Sequence, residues 1–222
     1  TYEKNQELNL ATEFGLFNDR INLSVAWFNR KSYDLIGGIT TQGVSGTITK
    51  KGNMAEMRIR GLEIGLETTN IKTADFSWRT SFVYSRATNE VTKLLTNPTI
   101  QDMVGYNSQN ATSQGGFAKE GYPLKSLFSV PFNGLNGSGL PTFRDQNGET
   151  TINGIRFDSQ NVDFLKYSGT TRPTDVGSLG NLFKYKGISL NILLTYSFGN
   201  VLRLPASFKH SYINDSPTSP SD

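Results

Sequence analysis

Few side chains in this chain of 222 residues are equipped for catalysis. His210 is the only histidine and sits near a polar C-terminal segment, so a Ser-His-Asp relay has poor support. Cysteine is absent, which removes thiolate nucleophiles, thiolate metal ligands and disulfides. Glu63 and Glu67 fall on the same face of an extended pattern and invite a glycosidase reading. Four residues of strand span roughly 13 Å, beyond the ~5 Å of a retaining carboxylate pair and the ~10 Å limit of an inverting one. They read instead as solvated charges on the wet face of a strand. The stretch DQNGE (145–149) offers calcium-type oxygens, but its glycine comes too early for an EF-hand loop, so it reads as a hairpin turn. GLNGSG (134–139) lacks the strand-to-helix setting of a dinucleotide loop and is a turn as well. No catalytic residue, metal site or cofactor is therefore expected.

Five aromatic residues between 91 and 173 leave two readings open. Phe117, Tyr122, Phe128, Phe132 and Phe143 suit stacking on sugar rings or packing against a partner protein. They suit better a small core built by the loop for itself.

The elements that would carry these residues are strands. In GISLNILLTYSFGN (187–200), Ile188, Leu190, Ile192, Leu194, Tyr196 and Phe198 occupy every second position. Ser189, Asn191, Thr195 and Ser197 alternate with them, and Leu193 is the one exception. A period of two belongs to a strand with one face in hydrocarbon and the other in water. The pattern recurs over 8–16, 21–36, 58–69, 76–86 and 174–186. Leu62, Ile64 and Leu66 form its apolar row in the third strand, against Glu63, Gly65 and Glu67. FNDR and NIKTAD are short turns, whereas the Gly/Thr/Ser-rich 37–52 reads as a long loop and NDSPTSPSD as a disordered tail.

Composition narrows the setting. Charged residues make up 18% of the chain, below the ~25% of an ordinary soluble domain. The net charge of +3 is spread along the sequence, with no basic cluster of the kind that binds nucleic acid. No apolar run approaches the ~18 residues of a membrane helix, so a membrane protein of this sequence must be a closed β-barrel. Alternation alone leaves an antiparallel sandwich and a lipid-facing barrel both open. Spans of about nine or more residues exceed the usual five or six of a soluble strand and match a tilted transmembrane strand. Aromatics near the strand ends, Trp27, Trp78, Tyr84, Tyr185, Tyr196 and Phe198 among them, suit a membrane–water boundary. Both features favour the barrel.

Several stretches resemble the SusC/RagA family of TonB-linked outer-membrane transporters. These are YEKNQELNLATEFGLFNDRINLSVAWFNRKSYDLI (2–36), GNMAEMRIRGLEIGLETTNIKTADFSW (52–78), EGYPLKSLFSVPFNGL (120–135), GLPTFRDQNGE (139–149) and YKGISLNILLTYSFGN (185–200), in the family's order. Ser178 stands where the family usually repeats Gly, and Ile188 where Phe is common. The resemblance implies an all-β fold: a fragment of a large antiparallel transmembrane β-barrel, 22-stranded in the family, with long extracellular loops. Residues 1–205 would be barrel, with 91–173 as one large extracellular excursion, and 206–222 a loop or tail. The implied activity is import of oligosaccharides or peptides across the outer membrane. A SusD-like surface lipoprotein caps such a barrel, and the TonB complex acts through an N-terminal plug that this stretch does not contain. Leu62, Ile64, Leu66, Ile188, Leu190, Ile192 and Leu194 would then face outer-membrane lipid. An outer-membrane barrel enzyme and a secreted β-sandwich adhesin or carbohydrate-binding module are the alternatives.

Overall fold

The computed structural model describes residues 2–40, 49–96, 98–104 and 116–203. His210 and the polar tail lie outside them. Six long strands form one antiparallel sheet: β1 (Lys4–Leu16), β2 (Ile21–Thr40), β3 (Thr49–Lys72), β4 (Phe76–Leu94), β10 (Asp175–Tyr185) and β11 (Ile188–Phe198). Their order is β1-β2-β3-β4-β10-β11, a meander interrupted once between β4 and β10.

Three tight turns join these strands at one end of the sheet. Phe17, Asn18 and Asp19 all take positive φ, and Asn22 Nδ2 donates to Asp19 O at 3.2 Å. Asn and Asp tolerate that left-handed region better than other side-chain-bearing residues, which explains their place here. Thr73 closes the second turn, its amide donating to Phe76 O at 2.8 Å and its hydroxyl accepting from Phe76 N at 3.0 Å. Lys186 and Gly187 both have positive φ between the paired Tyr185 and Ile188, as in a two-residue type I′ hairpin.

At the opposite end the strands run further than their alternation indicates. The sequence places a loop over 37–52, yet Gly37 pairs with Gly52 and Thr40 with Thr49. Likewise β4 continues to Leu94 rather than ending near 86. Alternation reports what a side chain faces, not whether its backbone is paired. A segment that lacks a regular apolar row loses the period-two signal while its ladder persists.

Residues between β4 and β10 contribute no strand to this sheet among the described residues. They hold the short helix α1 (Ile100–Val104) and five short strands. β5 (Ser126–Ser129) pairs with β9 (Lys166–Thr170), while β6 (Phe132–Leu135), β7 (Pro141–Arg144) and β8 (Thr150–Thr151) form a small three-stranded sheet. Thr99 caps α1, exchanging hydrogen bonds with Asp102 in both directions. The lobe has its own core of Ile100, Met103, Phe128, Val162 and Leu165.

Candidate functional site

Directly opposed residues of an antiparallel ladder share a face, so the register sorts every side chain of the large sheet. One face carries the row Phe14, Leu23, Leu66, Phe82, Leu179 and Leu194, one residue from each strand in order. The next row is Thr12, Val25, Ile64, Tyr84, Gly177 and Tyr196. Leu62, Ile188, Leu190 and Ile192 belong to the same face. On β11 these side chains are open, from 45% exposed at Ile192 to 73% at Ile188. Leu62, Ile64 and Leu66 are half-buried by flanking side chains of the interior strands. Among the described residues no second sheet covers this face.

The other face is mostly small and polar, with Val83, Val176, Leu182 and Leu193 among its apolar exceptions. Glu13, Ser24, Gly65, Val83, Ser178 and Thr195 form one row, and Asn22, Glu67, Ser81, Gly180 and Leu193 its neighbour. A shallow concavity of about 560 Å³ lies over part of it. Glu63 sits between Ala26 and Ser85, and Glu67 between Asn22 and Ser81, so small neighbours leave both carboxylates in water. They are wall charges two rows apart on this face, and Glu13 and Asp19 line the concavity together with Glu67. No group of three or more His, Cys, Asp or Glu suited to a metal occurs among the described residues.

At two places on the apolar face, polar side chains satisfy one another. Near the tight turns, Trp78 Nε1 and Thr80 Oγ1 both donate to Asn181 Oδ1, at 2.9 and 2.8 Å. Asn70, the extra residue of a bulge in β3, donates to Thr80 Oγ1 at 2.7 Å and accepts from Thr68. At the far end, Tyr84 and Thr174 hydroxyls donate to the two oxygens of Asp175 at 2.5 and 2.6 Å, with Arg86 Nη1 at 3.6 Å. Asp175 is 5% exposed and pins β4 and β10 together where the lobe returns to the sheet. Nothing in the alternation marks this cluster, because Tyr84 and Asp175 meet only through the long connection between them.

The five aromatic candidates do not form one surface. Phe128 is 1% exposed in the lobe core and therefore presents no ring to a ligand or partner, which corrects that expectation. Phe117 and Tyr122 pack against the same core, and Tyr122 lies 5.2 Å edge-on to Phe128. The reason is local: β5 packs against α1, and its consecutive Ser126, Leu127 and Phe128 are all buried. Phe132 and Phe143 are separate, edge to face at 6.1 Å on the three-stranded sheet. Phe132 is 62% exposed, with Leu135 and Leu140 open beside it, two residues that the aromatic criterion overlooked. DQNGE is a turn, as its spacing indicates: Asp145 Oδ1 accepts from Asn147 N and Glu149 N, and Gly148 has φ of 83°.

The lobe is fastened to the sheet at several points. Val91 and the 121–122 segment exchange two backbone hydrogen bonds, and Asn89 Oδ1 accepts from Leu124 N at 2.8 Å. Beyond β11, Val201 N donates to Thr170 O, and the Arg203 guanidinium bridges the carbonyls of Val104 and Phe128.

A six-stranded meander with one continuous apolar face, one polar face and tight turns at a single end has the architecture of a barrel wall. The chain belongs to the TonB dependent receptor-like β-barrel family, whose model matches residues 2–209, and so to an outer-membrane protein. It is similar to TonB-dependent receptor P3 of Formosa agariphila, 24% identical over 89% of this chain and 20% of that protein. It is also similar to TonB-dependent receptor SusC of Bacteroides thetaiotaomicron, 29% identical over 42% of this chain and 9% of that one. Among solved structures, the RagAB peptide importer in its open-open state superposes with a TM-score of 0.71 at 20% identity, covering 90% of this chain and 21% of that chain. The chain thus spans about a fifth of the length of P3 and of the RagAB chain. These relatives are receptors and transporters rather than enzymes.

Proposed function

We propose that this chain is part of the wall of a TonB-dependent importer, with its apolar face in lipid and its polar face lining the lumen. The carrying observation is the register, which assembles the apolar residues of all six strands on one uncovered face. From Ile188 to Phe198 the row runs roughly 34 Å at about 3.4 Å per residue. Tilted by ~40°, it stands about 26 Å tall, close to the ~25 Å apolar band of outer-membrane barrels. The outer edges of β1 and β11 are unpaired in this sheet, and other strands of the full-length protein would continue the ladder there.

Outer-membrane barrels keep short turns in the periplasm and long connections outside. Phe17–Arg20, Thr73–Asp75 and Lys186–Gly187 then lie in the periplasm, and the lobe between β4 and β10 outside. The open Phe132, Leu135 and Leu140 make the three-stranded sheet the surface for a SusD-like lipoprotein lid. The importer's cargo is an oligosaccharide or a peptide. RagAB is a peptide importer, which makes peptide the first cargo to try.

Cysteine labelling of the full-length protein in intact cells tests the sidedness. Ser138→Cys should react with a membrane-impermeant maleimide, and Lys186→Cys should react only after the outer membrane is breached. The reverse pattern would sink the reading. For the lid, a Phe132→Asp/Leu135→Asp variant should lose co-purifying lipoprotein while the barrel still folds. Undiminished co-purification would reject the docking surface alone.

A further inference from the structure

Above the apolar band, on the same outward face, the register places a patch of cations. Moving away from the tight turns, Leu10, Trp27, Leu62 and Arg86 form one cross-strand row. The next is Leu8, Asn29, Arg60 and Thr88, and the one beyond is Gln6, Lys31, Arg58 and Glu90. Lys31 therefore stands directly opposite Arg58, and Arg60 follows two residues along the strand. Like charges opposed across a ladder destabilise it unless something neutralises them. Among the described residues none of Lys31, Arg58 and Arg60 has an ion pair. Arg86 differs, being held by Asp175. Arg58 Nε is shielded from solvent without any hydrogen-bond acceptor, and Asn29 Oδ1 in the adjacent row is equally unsatisfied. A buried guanidinium N–H without an acceptor is costly, as is a buried amide oxygen without a donor.

Beside these residues is a cleft of about 230 Å³, lined by Arg58, Arg60, Thr88, Glu90, Gly121 and Pro123. Glu90 is its one carboxylate and leaves the patch net positive. Two chemistries are thus stacked within a few residues of strand. Hydrocarbon-loving Trp27 and Leu62 lie below, and guanidinium forks lie above. A molecule matching both has apolar chains and an anionic head, and phosphate oxygens suit paired arginines through bidentate hydrogen bonds.

We infer that Arg58, Arg60 and Lys31 bind the phosphate headgroup of a lipid in the outward leaflet, whose chains lie along Trp27 and Leu62. This rests on the face and sidedness proposed above. A phosphate bound by the outer guanidinium nitrogens of Arg58 and Arg60 relieves the opposition of Lys31 and Arg58.

The test is native mass spectrometry of the full-length protein in detergent, titrated with diphosphorylated lipid A, with the same lipid dephosphorylated, and with inorganic phosphate. The wild type should retain the phosphorylated lipid about tenfold better than the dephosphorylated one, given the contribution of each cation near a membrane surface. Arg58→Gln/Arg60→Gln should abolish that preference and Lys31→Gln should reduce it. Equal retention of the two lipids, or a preference unchanged in the variants, would overturn the inference. Inorganic phosphate binding as tightly as the lipid would also overturn it, by making free anion the ligand. If the double variant fails to fold, the comparison of lipids on the wild type decides. A bimane on Leu194→Cys, read against brominated lipid, keeps the two readings apart. Quenching without phosphate preference rejects only this site, whereas no quenching rejects the proposed lipid face.

Discussion

At the scale of single residues, close contacts across the ladder set which side chains the wall accepts. Tyr196 lies over Gly177 and donates to Val83 O at 3.3 Å. A Cβ at Gly177 would fall 2.2 Å from Val83 O and 2.3 Å from the Tyr196 hydroxyl. Gly177→Ala is therefore expected to destabilise the full-length barrel by about 1–3 kcal/mol, the usual range for overpacking. Gly137→Ala, with open space around its Cβ, should be close to neutral. Urea unfolding of both variants checks this, and equal stability would show that Tyr196 yields freely. The solvated character of Glu63 and Glu67 was legible in the sequence, because strand geometry alone separates them. The Asp175 cluster was not, since its partners come from strands that the long connection separates. Neither was the burial of Phe128: a lone aromatic in an irregular stretch looks the same whether it faces a ligand or its own core.

Among the elements, the parts that stand in the apolar band were the readable ones. β11 occupies 188–198 in both the alternation and the structure, and β10 departs by a residue at each end. The upper reaches of β2, β3 and β4 were hidden, because their composition breaks the period of two while the backbone ladder continues. Residues 41–48 lie outside the described part of that hairpin. The asymmetry of the faces makes a direct prediction for β11. Ile192→Arg is expected to cost ~2–4 kcal/mol when the full-length protein is refolded into lipid vesicles, and Asn191→Arg, on the polar face, far less. Equal costs would mean that the two faces see the same medium. A second prediction concerns the lobe. Arg203→Ala removes the donor to the Val104 and Phe128 carbonyls and leaves the β10–β11 ladder untouched. Amide exchange should quicken in 100–104 and 126–129 and stay unchanged in 176–197. Uniform protection across both would show that the bridge contributes nothing to holding the lobe.

For the molecule as a whole, the six-stranded sheet is, on the function proposed above, one arc of a barrel wall, and its physics follows from its two unlike faces. An apolar face uncovered by any second layer is a defect in water and an advantage in a bilayer, where backbone groups must find partners within the ladder itself. Among the described residues the large lobe adds no strand to this sheet, and the meander resumes in the same sense after it. The central claim is that one face of this wall meets lipid and the other the lumen. Its most direct measurement is a cysteine scan of Ser189 to Thr195 in the reconstituted full-length protein, with a fluorescent label quenched by brominated lipid. The account predicts strong quenching at 190, 192 and 194 and weak quenching at 189, 191, 193 and 195. Quenching without a period of two, or absent throughout, would contradict it.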